Sequence, residues 1–154
     1  MTGSPLSKTT SFNLVVSAPS GCPATTALEG APDRAAMLGL LYEFRDKVLG
    51  TTATGRYYIS VFYKHAIEGA WLMLRHPELR SSSRVFIERF RPAFQAMVTG
   101  RPVSLTRVDM ADIHSLLEAF LAPASAGLQS DLRAVQNELQ QPGVLHQFGI
   151  EIRD

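Results

Sequence analysis

Residues 51–71 read TTATGRYYISVFYKHAIEGAW, and this stretch decides the fold class. From Tyr57 to Leu74 the chain is apolar on nearly every helical face. Its polar residues recur every four positions and form one narrow stripe: Arg56, Ser60, Lys64 and Glu68. A helix with this pattern is normally covered by neighbours on most sides. The stretch therefore predicts a central helix that begins after Thr54 and ends before His76.

This central helix is expected to be the most buried element, with Phe62, Ala66 and Ala70 inaccessible to solvent. Its length approaches that of a membrane span. However, three polar side chains fall near its middle: Lys64, His65 and Glu68. Charged groups at that depth in a bilayer are costly. We therefore expect the helix to lie inside a soluble bundle, without a membrane span.

A second amphipathic helix is predicted upstream, beginning near Asp33. Its apolar stripe follows the helical period: Met37, Leu40, Leu41, Phe44 and Val48. Gly50 is expected to end it in a left-handed conformation, which glycine adopts at little cost.

Three more helices are predicted downstream, over about 82–97, 109–122 and 125–141. Pro92 lies inside the first of them and predicts a kink near Arg91. The fold expected is thus an all-α, single-domain bundle of about five helices, since 154 residues are typical of one domain.

The bundle is expected to comprise residues 22–154, preceded by a flexible arm over residues 1–21. The arm is rich in serine and threonine apart from Phe12–Val16. A short strand there, paired with the tail HQFGIEI at 146–152, is an option that the pattern leaves open.

Composition narrows the class and the compartment. Charged residues make up 19% and hydrophobic residues 45%, as in globular proteins. One cysteine excludes an intramolecular disulfide framework. The first residues show no basic segment followed by a long apolar run, so no secretory signal is visible and a cytoplasmic location is expected.

The charge is unevenly distributed along the chain. Residues 75–107 carry seven arginines and two glutamates, a net charge of about +5. Residues 108–154 carry two arginines and seven acidic residues, about −5. We expect these regions to attract each other within the fold or between protomers. Nucleic-acid binding is not expected, because the basic segment lacks lysine and its aromatic residues are predicted to face the core.

Cys22 is the candidate nucleophile or modification site. A reactive thiolate needs a helix N-terminus or a nearby cation, for which Arg34 and Arg45 are candidates. His65 or His114 would then act as the base. The alternative is that Cys22 is a small buried hydrophobic residue, as free cysteines often are.

An aromatic cluster forms the second candidate site, built from Tyr57, Tyr58, Phe62, Tyr63 and Trp71. These side chains suit a pocket for a flat apolar ligand, with His65 as its polar contact. They also suit a helix core, with the tyrosine hydroxyls at its rim. Arg45 and Asp46 are expected to form either a buried pair or a hydrogen-bond network with the tyrosines, which would specify packing rather than catalysis.

No metal or cofactor site is predicted. His65 with Glu68, and His114 with Glu118, reverse the Glu-x-x-His order of carboxylate-bridged metal sites in bundles. The sequence has no glycine-rich phosphate loop, no HExxH and no CxxC.

Three short motifs follow one another between Cys22 and Pro92. Their residues are Cys22, Thr26, Ala27 and Gly30; then Phe44, Arg45, Asp46 and Leu49; then Gly55, Phe62, Tyr63 and Ala66. In this order they resemble the CFI-box domain, a bacterial module usually found at the C-terminal end of longer proteins. That family has a Cys-Phe-Ile-Ala-Thr-Ala-type box, an FRD helix and a glycine-led segment with paired tyrosines.

The resemblance covers a third to a half of the chain and divides it into residues 22–98, similar to the CFI box, and a helical extension over 99–154. Pro23, Ala24 and Glu29 depart from the family pattern. The resemblance implies a helical module and supplies no catalytic mechanism.

These observations predict a non-catalytic bacterial module that binds another protein, a second copy of itself or a small apolar ligand. The alternative is a small enzyme of a specialised bacterial pathway, with an aromatic pocket and Cys22 or His65 at its centre. A contiguous exposed apolar patch would favour the module. A closed polar pocket holding either residue would favour the enzyme.

Overall fold

The computed structural model describes residues 22–154, which are mostly helical and form a single compact domain with one small parallel strand pair. In chain order the elements are α1 (Pro23–Ala27), α2 (Arg34–Lys47), a 3-10 turn (Leu49–Thr51), α3 (Ala53–Lys64), α4 (Ala66–Arg75), α5 (Pro77–Val98), β1 (Val103–Thr106), α6 (Arg107–Leu121), α7 (Ala126–Leu139), α8 (Pro142–His146) and β2 (Ile150–Arg153). The all-α class is confirmed.

Helix α4 lies at the centre and packs closely on α1 through small residues. Ala66, Gly69 and Ala70 are buried along its inner face. A Cβ atom added at Gly69 would lie 3.2 Å from Cγ of Pro23, so the proline ring packs directly against the backbone of α4. The main core continues from this contact into α5 and α7 through Ala27, Leu72, Met73, Leu79 and Leu128.

The predicted central helix is two helices, because the chain departs from helical geometry at His65. Its backbone angles there are φ −110° and ψ 13°. Ala66 and Ala70 are buried as predicted, but Phe62 is 42% exposed, so its predicted burial was wrong. The reason is that neighbours leave one side of α3 and α4 uncovered, and Phe62 lies on that side, whereas Leu72 and Met73 of α4 lie on the covered side.

The end of α2 also differs from the prediction. The helix stops at Lys47, and the next residues form a 3-10 turn in which the Thr51 hydroxyl donates to the Val48 carbonyl at 2.7 Å. Gly50 lies inside this turn and is not left-handed: within 22–154 only Gly30, Gly100 and Gly149 have positive φ. The hydrogen bond of Thr51 therefore stabilises the turn after α2, where the prediction relied on a left-handed glycine.

Helix α5 begins earlier than predicted and runs through Pro92 without a break. Phe86, Phe90 and Phe94, on both sides of the proline, pack into a second core cluster that also contains Val103 and Leu105 of β1. Burial of these apolar side chains offsets the backbone hydrogen bond that a proline removes from a helix.

The tail forms a strand, but its partner within the described residues is β1. The two strands are parallel, with Val103 opposite Ile150 and Thr106 opposite Arg153. The strand suggested for Phe12–Val16 lies outside the described residues. Helix α6 follows β1 directly, because Thr106 and Asp109 form a capping box at its start.

Arginines of the basic segment pair with carboxylates from several elements. Arg89 of α5 donates to Asp109 and Asp112 of α6, and Arg107 donates to Asp154. Arg80 and Arg91 instead contact Glu29 and Asp33, outside the acidic third of the chain. In the part of the chain that the structure describes, no helix is long and apolar enough to cross a membrane.

Gly55 provides a direct test of the α2–α3 connection. A Cβ atom there would overlap the carbonyl oxygen of Leu49, which is backbone and cannot rotate away. We expect Gly55→Ala to lower the free energy of unfolding by at least about 2 kcal/mol, as overpacking does. Chemical denaturation with circular dichroism measures this change.

Gly39→Ala is the matched control, because Gly39 lies in α2 and nothing lies within 4 Å of an added Cβ atom. This substitution should stabilise the protein by up to about 1 kcal/mol through helix propensity. Equal effects of the two substitutions would contradict the assigned packing.

Candidate functional site

One pocket with almost entirely apolar walls, of about 280 Å³, lies between α2 and α3. The start of α1 closes one side, and Phe94 of α5 closes another. The lining residues are Cys22, Ala24, Leu41, Tyr42, Phe44, Arg45, Leu49, Tyr58, Ile59, Phe62, Tyr63 and Phe94. Helical periodicity in α2 and α3 brings these residues to the same side of each helix, facing each other.

Arg45 is the only charged residue that residues 22–154 contribute to this lining, and its charge is already compensated by Asp46, in a pair that is exposed and not buried as predicted. Its Nε and Nη2 atoms donate to the Asp46 carboxylate at 2.6 and 3.0 Å, and Nη1 donates to the Tyr63 hydroxyl at 2.6 Å. The hydrogen bond to Asp46, followed by that to Tyr63, raises the pKa of Arg45. The same contact lowers the pKa of Asp46. The rim of the pocket is therefore close to electrically neutral.

The Tyr63 hydroxyl is free to donate one hydrogen bond within the described part of the chain. A tyrosine hydroxyl has one donor and two acceptor positions. Here it accepts from Arg45, and its proton has no acceptor among the described residues. Tyr63 can therefore donate one hydrogen bond to a group that enters at the rim.

Tyr58 forms part of the pocket wall, with its hydroxyl buried. That oxygen has no hydrogen-bond partner among residues 22–154. Burial raises the pKa of Tyr58, and the nearby carboxylate of Glu138 adds to the shift. Tyr58 therefore stays protonated throughout the physiological range and contributes a neutral ring to the pocket.

Cys22 is half-buried and lies immediately before α1. Its carbonyl oxygen accepts hydrogen bonds from the Thr26 amide at 3.2 Å and the Thr26 hydroxyl at 3.4 Å. These bonds hold the first turn of α1 in place, so Cys22 forms part of the apolar wall together with Phe44 and Phe62.

His65 does not line this pocket. Its Nε2 atom lies 2.7 Å from Oδ2 of Asp131 on α7, and the same oxygen accepts a hydrogen bond from Lys64 at 2.8 Å. Glu68 accepts from the amide and hydroxyl of Ser125 at 2.7 and 2.9 Å. His65 thus belongs to a polar contact that attaches α7 to the junction of α3 and α4.

The pocket brings together five of the candidate residues, Cys22, Arg45, Tyr58, Phe62 and Tyr63, and Tyr57 of the aromatic cluster does not line it. His65 is directed at α7, and Trp71 lies on the outer face of α4, where it is 48% exposed. Sequence reasoning missed Phe94 and Asp131. The apolar stripe of α5 indicated that Phe94 is buried, but no local signal indicated its neighbours.

The described residues also bear on metal binding. Within 22–154, no three side chains of histidine, cysteine, aspartate or glutamate lie close enough together to hold a metal ion. Arg45 and Tyr63 are the polar groups at the pocket rim, and neither is a common metal ligand.

No family model, curated protein or solved structure matches the chain. The resemblance to the CFI-box domain therefore stays a prediction from its motifs. A functional assignment must come from the geometry of the site.

The contact of Asp131 with His65 and Lys64 predicts a pH-dependent contribution to stability. Hydrogen bonds from Lys64 and then His65 lower the pKa of Asp131 below its ordinary value of 3.8. The carboxylate therefore stabilises the fold above about pH 4, and this contribution is lost as the pH falls through the lowered pKa. Asp131→Asn should reduce stability at pH 6 and have little effect at pH 2.

Denaturant titrations across this pH range measure the difference. Glu151→Gln is the control, because Glu151 is exposed and has no ion pair among the described residues. If Asp131→Asn changes the free energy of unfolding by the same amount at pH 6 and at pH 2, an ionic role for Asp131 is excluded.

Proposed function

We propose that this domain is a non-catalytic module that binds a small, flat and electrically neutral apolar molecule in the pocket between α2 and α3. The observation that carries the proposal is the pocket wall itself. Aromatic and aliphatic side chains surround a cavity of about 280 Å³ that contains one compensated charge.

The size and the walls of the pocket favour a ligand of one or two rings. Pockets for drug-sized molecules occupy about 300 to 1,000 Å³, so this one lies at the small end. Phe44 and Phe94 pack against each other with ring centroids 4.9 Å apart, and Phe62 lines the same pocket. Transfer of apolar surface from water into such a site contributes about 25 cal/mol per Å².

The electrostatics favour a neutral ligand with a hydrogen-bond acceptor. An anion would have to compete with Asp46 for Arg45, and a buried ion without a partner costs several kcal/mol or more. A carbonyl or ether oxygen, in contrast, would meet the available proton of Tyr63. We therefore assign Tyr63 as the orienting residue and the surrounding rings as the source of affinity.

The CFI-box resemblance supports the same site. All three motifs contribute to the pocket: Cys22 from the first, Phe44, Arg45 and Leu49 from the second, and Phe62 and Tyr63 from the third. A shared ligand pocket would explain why residues so far apart in sequence form one pattern. Membership in that bacterial family is part of the proposal.

The alternative, an enzyme centred on Cys22 with His65 as its base, receives no support from the geometry. The His65 imidazole contacts Asp131, and the surroundings of Cys22 are apolar rather than polar. The guanidinium of Arg45 lines the same pocket, but it is already paired with Asp46 and is not free to stabilise a thiolate.

A neutral fluorescent probe tests the proposal. N-phenyl-1-naphthylamine should bind with increased emission, and more tightly than the anionic 1-anilinonaphthalene-8-sulfonate. Phe62→Ala should weaken probe binding by about tenfold, because it removes one wall of the pocket. Phe62 is itself an exposed residue, so the substitution leaves the buried core unchanged.

Trp71→Ala is the matched control, since Trp71 is a similarly exposed aromatic residue outside the pocket. It should leave the affinity unchanged at submicromolar protein concentration. Absence of probe binding, or equal losses in both variants, would refute the pocket as the ligand site.

Alkylation of Cys22 provides an independent readout. The chain has one cysteine, so iodoacetamide labelling reports on this position alone. We expect saturating N-phenyl-1-naphthylamine to slow the labelling several-fold, because the thiol lies in the pocket wall. Mass spectrometry of timed samples measures the rate.

The fully denatured protein is the control, where the probe should have no effect. Labelling at the same rate with and without bound probe would place the probe elsewhere on the protein.

A further inference from the structure

The outer face of α4 carries an exposed apolar stripe that belongs neither to the core nor to the pocket. Ile67, Trp71 and Leu74 are 68%, 48% and 41% exposed. They are spaced i, i+4 and i+7, so they form one line along the helix. Exposed side chains of this size in a continuous line typically mark an interaction surface.

We propose that this stripe is a dimer interface, in which two copies of α4 pack antiparallel around a two-fold axis near Trp71. The spacing of Ile67, Trp71 and Leu74 corresponds to successive d, a and d positions of a heptad. With the axis near Trp71, Ile67 of each copy packs beside Leu74 of the other. The surface is thus complementary to itself, as a two-fold interface requires.

The charges beside the stripe have the same symmetry. Glu68 and Arg75 follow Ile67 and Leu74 by one residue and are also seven apart. Antiparallel packing places Glu68 of one copy near Arg75 of the other, and the reverse. Arg75 has no carboxylate within 4.0 Å among residues 22–154, while Glu68 remains partly exposed beside its contact to Ser125.

A second copy fits this surface better than the arm of the same chain does. Residues 1–21 contain no aspartate or glutamate, and their only charged side chain is Lys8. The arm could cover apolar side chains but could not supply a carboxylate to Arg75. The second copy supplies both an apolar stripe and the matching charge.

The size of the surface predicts a reversible dimer. A ten-residue helix is about 15 Å long. Packing along this length buries less surface than the roughly 800 Å² per partner of a standard interface. Tyr63, 51% exposed on the far side of His65, extends the stripe toward α3. We therefore expect a dissociation constant in the micromolar range.

Sedimentation of the full chain from about 1 to about 200 micromolar tests the proposal and should show a monomer–dimer equilibrium. Ile67→Asp should weaken the dimer by more than about tenfold. Val108→Asp is the control, because Val108 is 64% exposed on α6, away from this surface. Arg75→Glu should weaken the dimer, and Arg75→Lys should retain it.

The single tryptophan supplies a second readout. Its emission should shift to shorter wavelength as the protein concentration rises, and Ile67→Asp should abolish the shift. A chain that stays monomeric over this range would overturn the proposal, as would equal effects of Ile67→Asp and Val108→Asp. The protein could also stay monomeric while deletion of residues 1–16 increases acrylamide quenching of Trp71. That result would overturn the proposal and show that the arm, not a second copy, covers the stripe.

Discussion

The close packing of α1 on the inner face of α4 is the constraint on which the rest of the structure depends. Ala66, Gly69 and Ala70 leave almost no space beneath α4, and the ring of Pro23 occupies what remains. Leu72 and Met73 of the same helix are buried in the main core, and Ile67, Trp71 and Leu74 lie on its exposed face, since helical periodicity separates the two sides. The same contact fixes α1, so Cys22 comes to lie at the edge of the pocket.

Two surfaces follow from this arrangement, and they meet at the end of α3. Phe62 faces the pocket, and Tyr63 lies between the pocket and the exposed stripe of α4. Leaving such side chains in water sacrifices the free energy that their burial would contribute, about 1.5–3 kcal/mol for each large apolar residue. The proposed ligand and the proposed second copy would each cover some of these side chains and recover part of that free energy.

The sequence predicted the amphipathic helix α2 well, because its stripe follows the helical period: Met37 and Val48 are buried as expected. It failed where a segment is apolar on every side. Periodicity then gives no direction, and the buried side of α4 contains Ala66, Gly69 and Ala70 as well as Leu72 and Met73, while Ile67, Trp71 and Leu74 are exposed. Strand β1 was missed for a different reason. Four residues are too short for a reliable alternation, and the partner strand lies 47 positions away in register.

Some residues of the candidate site could be predicted from local sequence, and others depend on contacts between distant segments of the chain. Cys22, Arg45 and Tyr63 were identified because they stand in short motifs, whereas Asp131 is 66 residues from His65 and no motif joins them. A histidine in an apolar segment can serve a ligand or satisfy a structural contact. Here its imidazole and Lys64 share one carboxylate at the position where the helix breaks. The polar residues in this apolar stretch therefore mark the place where α7 attaches, while the hydroxyl that the proposed ligand would use belongs to Tyr63, the residue directly before Lys64.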